Sequence, residues 1–302
     1  MESILQLLSN CKLCPRNCGA DRLSGQAGYC GEPAEIFAAR AALHMWEEPC
    51  LVGDTGSGTV FFSGCNLKCV FCQNHNIAVG QTGRPIPISR LSEIFLELQE
   101  KGAANINLVT PTHYIPQICL ALKSAKEKGL HLPIVYNTSG YEKAESLHLL
   151  DGLIDIYLPD FKYFSSELSS KYSFASDYFQ HACLALAEMY RQTGPCRFDS
   201  QGMLKQGIIV RHLLLPGQTK DSKKILHYLH DTYGDNIWIS IMNQYTPLSH
   251  VSAIPELNRR VTEAEYNRVV DYAIRLGITN AFIQEGDTAE ESFIPPFDLE
   301  GI

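Results

Sequence analysis

TVFFSGCNLKCVFCQN, residues 59–74, joins a short aromatic and β-branched run to three cysteines, Cys65, Cys69 and Cys72. Residues 59–63 read as a strand ended by Gly64, which puts the cysteines at its carboxyl end in C-x3-C-x2-C spacing. Runs of the same kind return at 105–109, 133–137, 153–158, 207–214, 237–242 and 280–284. Several are near-continuous apolar stretches, as expected of parallel strands covered on both faces. Amphipathic segments alternate with them. In the first, Leu91, Ile94, Phe95 and Leu98 keep helical spacing, with Ser89 placed to cap and Gly102 to stop. Similar segments cover 114–129, 142–151, 176–191 and 220–233, and another at 263–277 precedes the last strand. The pattern is α/β with right-handed crossovers, either a doubly wound sheet or a complete or partial TIM-like barrel. Both place functional side chains at the carboxyl ends of strands, where the cysteine loop falls.

The alternation is missing from residues 1–50, which read as a separate cysteine-rich module before a core at 51–302. The whole chain has 302 residues, 45% hydrophobic and 19% charged, an ordinary globular balance. With 25 basic against 33 acidic residues its net charge is −8, which argues against nucleic acid as a partner. No apolar run is long enough to span a bilayer, and the start lacks a basic region before an apolar stretch. A soluble, cytoplasmic protein without a membrane partner is expected.

Eleven cysteines are an excess for such a chain, and seven of them crowd into two clusters. Tight spacing of this kind, without a secretory signal, favours metal over disulfides. Three thiolates on the 65–72 loop can hold three corners of a cuboidal iron–sulfur cluster and leave one iron open to chemistry. The alternatives are a zinc site completed by His75, or three unrelated core cysteines. Cys11, Cys14, Cys18 and Cys30 form a second metal site, either tetrahedral zinc or a fully ligated second iron–sulfur cluster. Either would staple a segment too short to build its own core. Cys50, Cys119, Cys183 and Cys196 have no metal spacing and read as packing residues.

The three-cysteine motif, with Phe71 before its last cysteine, resembles the radical SAM superfamily. GSGTVFFSGCNLKCVFCQN, DIYLPDFKY and VRHLLLPG further resemble the branch related to the activating enzyme of pyruvate formate-lyase. The resemblance implies a partial (β/α)6 barrel and a [4Fe-4S] cluster whose open iron binds S-adenosyl-L-methionine, with Phe71 near the adenine. One electron, from a reductant such as flavodoxin or ferredoxin, would then release a 5′-deoxyadenosyl radical for hydrogen abstraction. In the activating enzymes a matching Asp-x-Lys lies beside the methionyl group, which points to Asp160 and Lys162, residues that share one face of an extended strand end. A surface salt pair is the alternative.

Arg211 interrupts an apolar strand and needs a partner, either the cofactor carboxylate or a barrel carboxylate such as Asp155. Its neighbour His212 faces the other way and reads as structural. Where many members of the superfamily carry Gly-Gly-Glu, this chain has Thr110, Pro111, Thr112 and His113, so Thr110 and Thr112 become candidate ammonium acceptors or parts of a plain turn. Asn137 and Ser139, in NTSGY, stand in the same position. Asn243, Gln244, Tyr245 and Glu285, after the last two strands, are read as facing substrate. Glu47 and Glu48, beside His44 and Trp46, read as exposed charge rather than a lining of the barrel mouth. GDTGSG at 53–58 precedes a strand instead of opening a helix and is not a phosphate loop.

The expected function is a radical enzyme acting like a glycyl-radical activase on a partner protein. Rival readings are a small-molecule oxidoreductase or rearrangement enzyme, and a non-catalytic iron–sulfur binding protein. No catalytic side chain is assigned from sequence.

Overall fold

In the computed structural model, which describes residues 2–80, 82–284 and 295–302, ten strands form one sheet. They are β1 Ile36–His44, β2 Ser57–Phe62, β3 Arg84–Ile86, β4 Ile106–Val109, β5 Ile134–Thr138, β6 Ile156–Pro159, β7 Arg197–Phe198, β8 Leu204–Leu213, β9 Trp238–Met242 and β10 Ala281–Ile283. Their order is β10-β9-β8-β6-β5-β4-β2-β1-β3, with β7 pairing on β8. The seven strands expected from the sequence are β2, β4, β5, β6, β8, β9 and β10, and each pairs parallel with its neighbours among them. Nothing pairs β10 with β3 among the described residues, so the α/β architecture is that of a partial TIM-like barrel, as the sequence implied.

Burial explains the parallel strands. Every residue of β2, β4, β5 and β6 is buried, because the barrel interior lies on one face and helices on the other. The helices Ile88–Glu100, Ile115–Glu127, Tyr178–Thr193, Thr219–Tyr233 and Glu263–Leu276 lie where amphipathic spacing put them. One apolar core runs from Phe95 and Leu98 through Ile118 and Leu122 to Leu226 and Val269. Three local expectations are corrected. Pro87, not Ser89, precedes the first of these helices, because a proline leaves no stranded N–H at a helix start. The segment 142–151 condenses to Ala144–Leu147 and a 3-10 turn at His148–Leu150, and a helix at Ser166–Ser173 was not expected.

The larger departure is β1. It pairs antiparallel with β2, from Ala38 opposite Phe62 to His44 opposite Ser57, and with β3 on its other side. The boundary drawn near residue 50 thus falls between two strands that hydrogen-bond to each other. Beyond β3, the same edge of β1 is covered by the chain's last residues, with Leu299 N–H donating to Ala39 O at 3.0 Å and Ala41 N–H to Glu300 O at 2.7 Å. Gly301 is required there, since a Cβ would come within 2.1 Å of Ala41 O. Among the described residues no helix is long and apolar enough to cross a membrane.

Candidate active site

The loop after β2 turns at Gly64, where a Cβ would strike Glu32 Cγ at 2.4 Å, and again at Lys68, which has a positive φ of 55°. This bending brings Cys65, Cys69 and Cys72 to one wall of a cavity of about 220 Å³ at the carboxyl ends of the strands. Leu67 N–H donates to Cys65 Sγ at 3.3 Å and Ser173 Oγ to Cys69 Sγ at 3.0 Å, the kind of donor that stabilises thiolate sulfur. Burial, together with the neighbouring thiols, pushes the Cys72 thiol well above its ordinary value. Burial also raises Cys69, against the pull of Lys162. Two such groups side by side are ionised together only where a cationic centre compensates them. His75 does not complete the set; it stacks on His250 at 4.6 Å. Among the described residues no group of three or more Cys, His, Asp or Glu side chains is gathered closely enough to hold a metal ion. Three thiols in C-x3-C-x2-C spacing are a donor set that suits three corners of a cuboidal iron–sulfur cluster.

Opposite the cysteines the strand ends supply charge. Asp160 continues β6, bridging in parallel to Arg211 of β8, and Asn137 lies in β5, one residue before its end at Thr138. Lys162 Nζ donates to Asp160 Oδ2 at 2.6 Å and Arg211 Nε to Asp160 Oδ1 at 3.0 Å. Although burial opposes it, these two cations hold the Asp160 carboxyl below its ordinary value. Arg211 also donates to Asn137 Oδ1 at 2.6 Å and to Glu47 Oε2 at 3.1 Å. Its partners are thus Asp160 and Glu47, while Asp155 instead accepts from Ile134 N–H at 2.8 Å.

Of the predicted cofactor residues, Phe71, Thr110, Asn137, Ser139, Asp160, Lys162 and Arg211 all line the cavity. Phe71 packs edge-on to Tyr163 and Tyr245 at 6.5 and 6.2 Å. Thr110 has a φ of 59°, a strained value for a β-branched residue, at the rim. Buried Ser139 Oγ has no partner, so it is an acceptor or donor left for a ligand. Thr112 does not line the cavity; its hydroxyl donates to buried Glu142 at 2.5 Å. Gln244 lines it, whereas Asn243 and Tyr245 do not. Tyr245 stands behind Phe71 and donates to Leu257 O at 2.7 Å, and Asn243 N–H donates to Gln284 Oε1 at 2.7 Å. Glu285 lies outside the described residues.

Sequence reasoning misplaced Glu47 and Glu48. They are not exposed charge: the Glu47 side chain is 7% exposed and Glu48 8%. The segment after β1 carries Glu47 under the cavity, where it accepts from Asn107 and Asn137, each at 3.1 Å, and from Arg211. Burial pushes both carboxyls up, against the pull of Arg211. His44 also lines the cavity, with burial driving its pKa down to about 4. The only sequence signal was the unpartnered Arg211, which implied an acidic neighbour without locating it.

The amino-terminal cysteines gather behind this loop. A Cβ on Gly28 would meet Cys18 Sγ at 3.3 Å and Cys30 Sγ at 3.4 Å, and Cys18 Sγ lies 3.8 Å from Cys11 O.

The family described as the radical SAM superfamily matches residues 59–229, more than half the chain. An uncharacterised protein of Methanocaldococcus jannaschii is 29% identical over 282 residues, which cover 90% of this chain and 77% of the relative. Streptococcus suis SuiB bound to S-adenosylmethionine has a similar fold, with a TM-score of 0.51 at 14% identity over 74% of this chain and 48% of that one. HydG, a maturase of the [FeFe]-hydrogenase, gives 0.50 at 15% identity over 74% and 50%. The chain thus spans about half the length of these solved structures.

Proposed function

The chain belongs to the radical SAM superfamily, and from that premise we propose that Cys65, Cys69 and Cys72 hold its [4Fe-4S] cluster and that the cavity beside them receives S-adenosyl-L-methionine. The observation that carries this is the convergence, on one cavity, of the buried Cys65 and Cys69 and the half-buried Cys72, the Asp160–Lys162–Arg211 network and the unpartnered Ser139 hydroxyl. When bound, cluster and cofactor supply reductive sulfonium cleavage and a 5′-deoxyadenosyl radical.

The protein's own part is positioning and exclusion. Lys162 and Arg211 supply positive charge for a carboxylate, and Asp160, spanned by both, fixes where that charge sits. Ser139 Oγ and the polar atoms at Thr110 and Asn137 can accept from an ammonium group. Phe61, Phe62, Leu67, Phe71, Val109 and Met242 keep the walls apolar, so that water and stray hydrogen donors are kept away.

The finer reading is hydrogen abstraction from a partner protein, as the likeness to pyruvate formate-lyase activating enzymes implies, with electrons from a flavodoxin- or ferredoxin-like donor. Cys11, Cys14, Cys18 and Cys30 hold a second metal in this reading. A small-molecule substrate is the second reading, and the charged Glu47–Arg211 floor of a cavity of about 220 Å³ favours it. Anaerobic protein reduced with dithionite should release 5′-deoxyadenosine, and the variant with all three loop cysteines changed to Ala should release none. An intact cluster without product would refute the enzyme reading. A persistent glycyl radical on an added partner protein separates the first reading from the second.

A further inference from the structure

Of the three cysteines on the 65–72 loop, only Cys69 takes a hydrogen bond from a side chain among the described residues. Leu67 N–H serves Cys65, whereas Ser173 Oγ lies 3.0 Å from Cys69 Sγ. The Tyr163 hydroxyl stands 2.6 Å from the same Ser173 oxygen. Ser173 and Tyr163 are closed to solvent and Cys69 is buried, so both bonds lie in a low-dielectric interior.

Chemistry fixes which way the protons point. A ligating thiolate has no proton to give, so when Cys69 binds metal, Ser173 has to be the donor between them. A serine hydroxyl has one proton, which leaves its oxygen to accept from Tyr163. The result is one directed chain, Tyr163 to Ser173 to Cys69, in which each bond polarises the next. Hydrogen bonds to the sulfurs are among the groups that set the potential of an iron–sulfur cluster.

The hydroxyl is held in place from several sides. Ser173 is the last residue of the helix Ser166–Ser173, and the chain turns at once through Phe174 with a φ of 52°, an outlier for so bulky a residue. Val70 N–H, inside the cysteine loop, donates to Tyr172 O at 2.8 Å and fastens the helix end to the loop. Arg16 bridges the two, donating to Leu67 O at 3.3 Å and to Ser173 O at 2.9 Å. Before the other end of the helix, Asp221 accepts from the N–H groups of Phe164 and Ser165, each at 2.9 Å. Ser173 Oγ thus meets Cys69 preorganised, with little left to pay in side-chain freedom.

We propose that Ser173, backed by Tyr163, is a positioning residue that acts through Cys69 to raise the reduction potential of the cluster held at Cys65, Cys69 and Cys72. This rests on the cluster reading above. In the step concerned, a low-potential one-electron donor loses one electron and the cluster gains it, passing from the 2+ to the 1+ state. No covalent bond is made or broken, and the protons of the chain stay where they are. The added charge spreads onto the sulfurs and strengthens the bond from Ser173, so the reduced form gains more from that bond than the oxidised form does.

The test is a potentiometric titration of the anaerobic protein without S-adenosylmethionine, followed by the paramagnetic signal of the reduced cluster. In Ser173→Ala the ratio of reduced to oxidised cluster at a fixed applied potential should fall about tenfold, a downward shift of about 59 mV for one electron. Tyr163→Phe should move it in the same direction by less, because Ser173 still donates. Ser169→Ala removes another buried hydroxyl of the same helix, one that bonds Ser166 O, and should leave the potential where it is. An unchanged potential in Ser173→Ala with its cluster retained, or an equal shift in Ser169→Ala, would overturn the proposal. If Ser173→Ala does not hold its cluster, Tyr163→Phe decides, and a potential unmoved there overturns the proposal as well. Failure of the radical reading is distinct. A native cluster that titrates while dithionite-reduced protein releases no 5′-deoxyadenosine refutes the enzyme and leaves the tuning intact, and a native protein with no such signal refutes the cluster on which both rest.

Discussion

At the scale of single residues, Glu142 is the least expected feature. It is fully buried and has no cationic partner among the described residues. Three hydroxyls serve it instead: Thr112 at 2.5 Å, Tyr136 at 3.5 Å and Thr138 in a shorter contact. Burial drives its pKa up to about 7, although the hydroxyls pull it down. Below the unfolded value of about 4.3 both states carry the proton. Between there and about 7 only the folded state does, so stability falls as pH rises through that window and the contribution is lost above it. Glu142→Gln should abolish that fall. Relative to the native chain, the variant should gain about 3 kcal/mol between pH 5 and pH 8, read from denaturant midpoints under anaerobic conditions. A difference that stays flat with pH would mean that the carboxyl is already ionised when folded. Such residues show which parts of the site are legible in sequence. Cys65, Cys69 and Cys72 are, because their spacing is local, and so is Asp160 with Lys162 two residues on. Glu47, Glu48 and Glu142 are not, since a carboxylate on a polar-looking segment reads as solvated until long-range pairing buries it.

Among the elements, the seven parallel strands were legible because burial on both faces, complete in β2, β4, β5 and β6, writes a near-continuous apolar run into most of them. β1 was not: IFAARAALH is alanine-rich, carries an arginine, and owes its extended form to pairing with β2 and to the chain's last residues. The helix Glu263–Leu276 is the opposite case, since its start is set locally. Thr262 Oγ1 accepts from Glu265 N–H at 3.2 Å, while Glu265 Oε2 accepts from Thr262 N–H at 2.9 Å. Glu265 further accepts from Gly217 N–H at 2.8 Å and from Arg259 at 2.7 and 2.8 Å, and Arg259 holds its carboxyl well below the usual range. Thr262→Ala removes one arm of this box and should cost about 1 kcal/mol, visible as a lower melting temperature with unchanged iron content. Glu265→Ala removes three partners at once and should cost more. That excess should disappear in strong acid, where the native carboxylate is also protonated.

For the molecule as a whole, the question is what fastens the first thirty-five residues to the barrel. Their own apolar nucleus is small, built on Leu8, Cys11 and Leu13. The spacing of four cysteines announced a staple but not its docking, because the groups that receive it lie on loops far along the chain. Arg16 makes that attachment. Its guanidinium donates to the carbonyls of Asn66, Leu67 and Ser173 at 2.8, 3.3 and 2.9 Å, and in a shorter contact to Phe174, with Tyr29 and Tyr141 rings at 4.1 and 5.1 Å. One side chain therefore joins the amino-terminal loop, the 65–72 loop and the end of the Ser166–Ser173 helix. Arg16→Ala should cost about 3 kcal/mol, since several charge-assisted hydrogen bonds and their ring contacts are lost together. The damage should not be uniform: limited proteolysis should cut within the first thirty-five residues before it touches the barrel, and a chelator should strip iron faster than from the native chain. Arg16→Lys should recover little, because a single ammonium cannot span carbonyls on separate elements as a planar fork does. If Arg16→Ala instead unfolds in one step with the native cleavage pattern, the amino-terminal segment is held by its other contacts with the barrel, such as Cys65 N–H to Cys30 O, and not by this one.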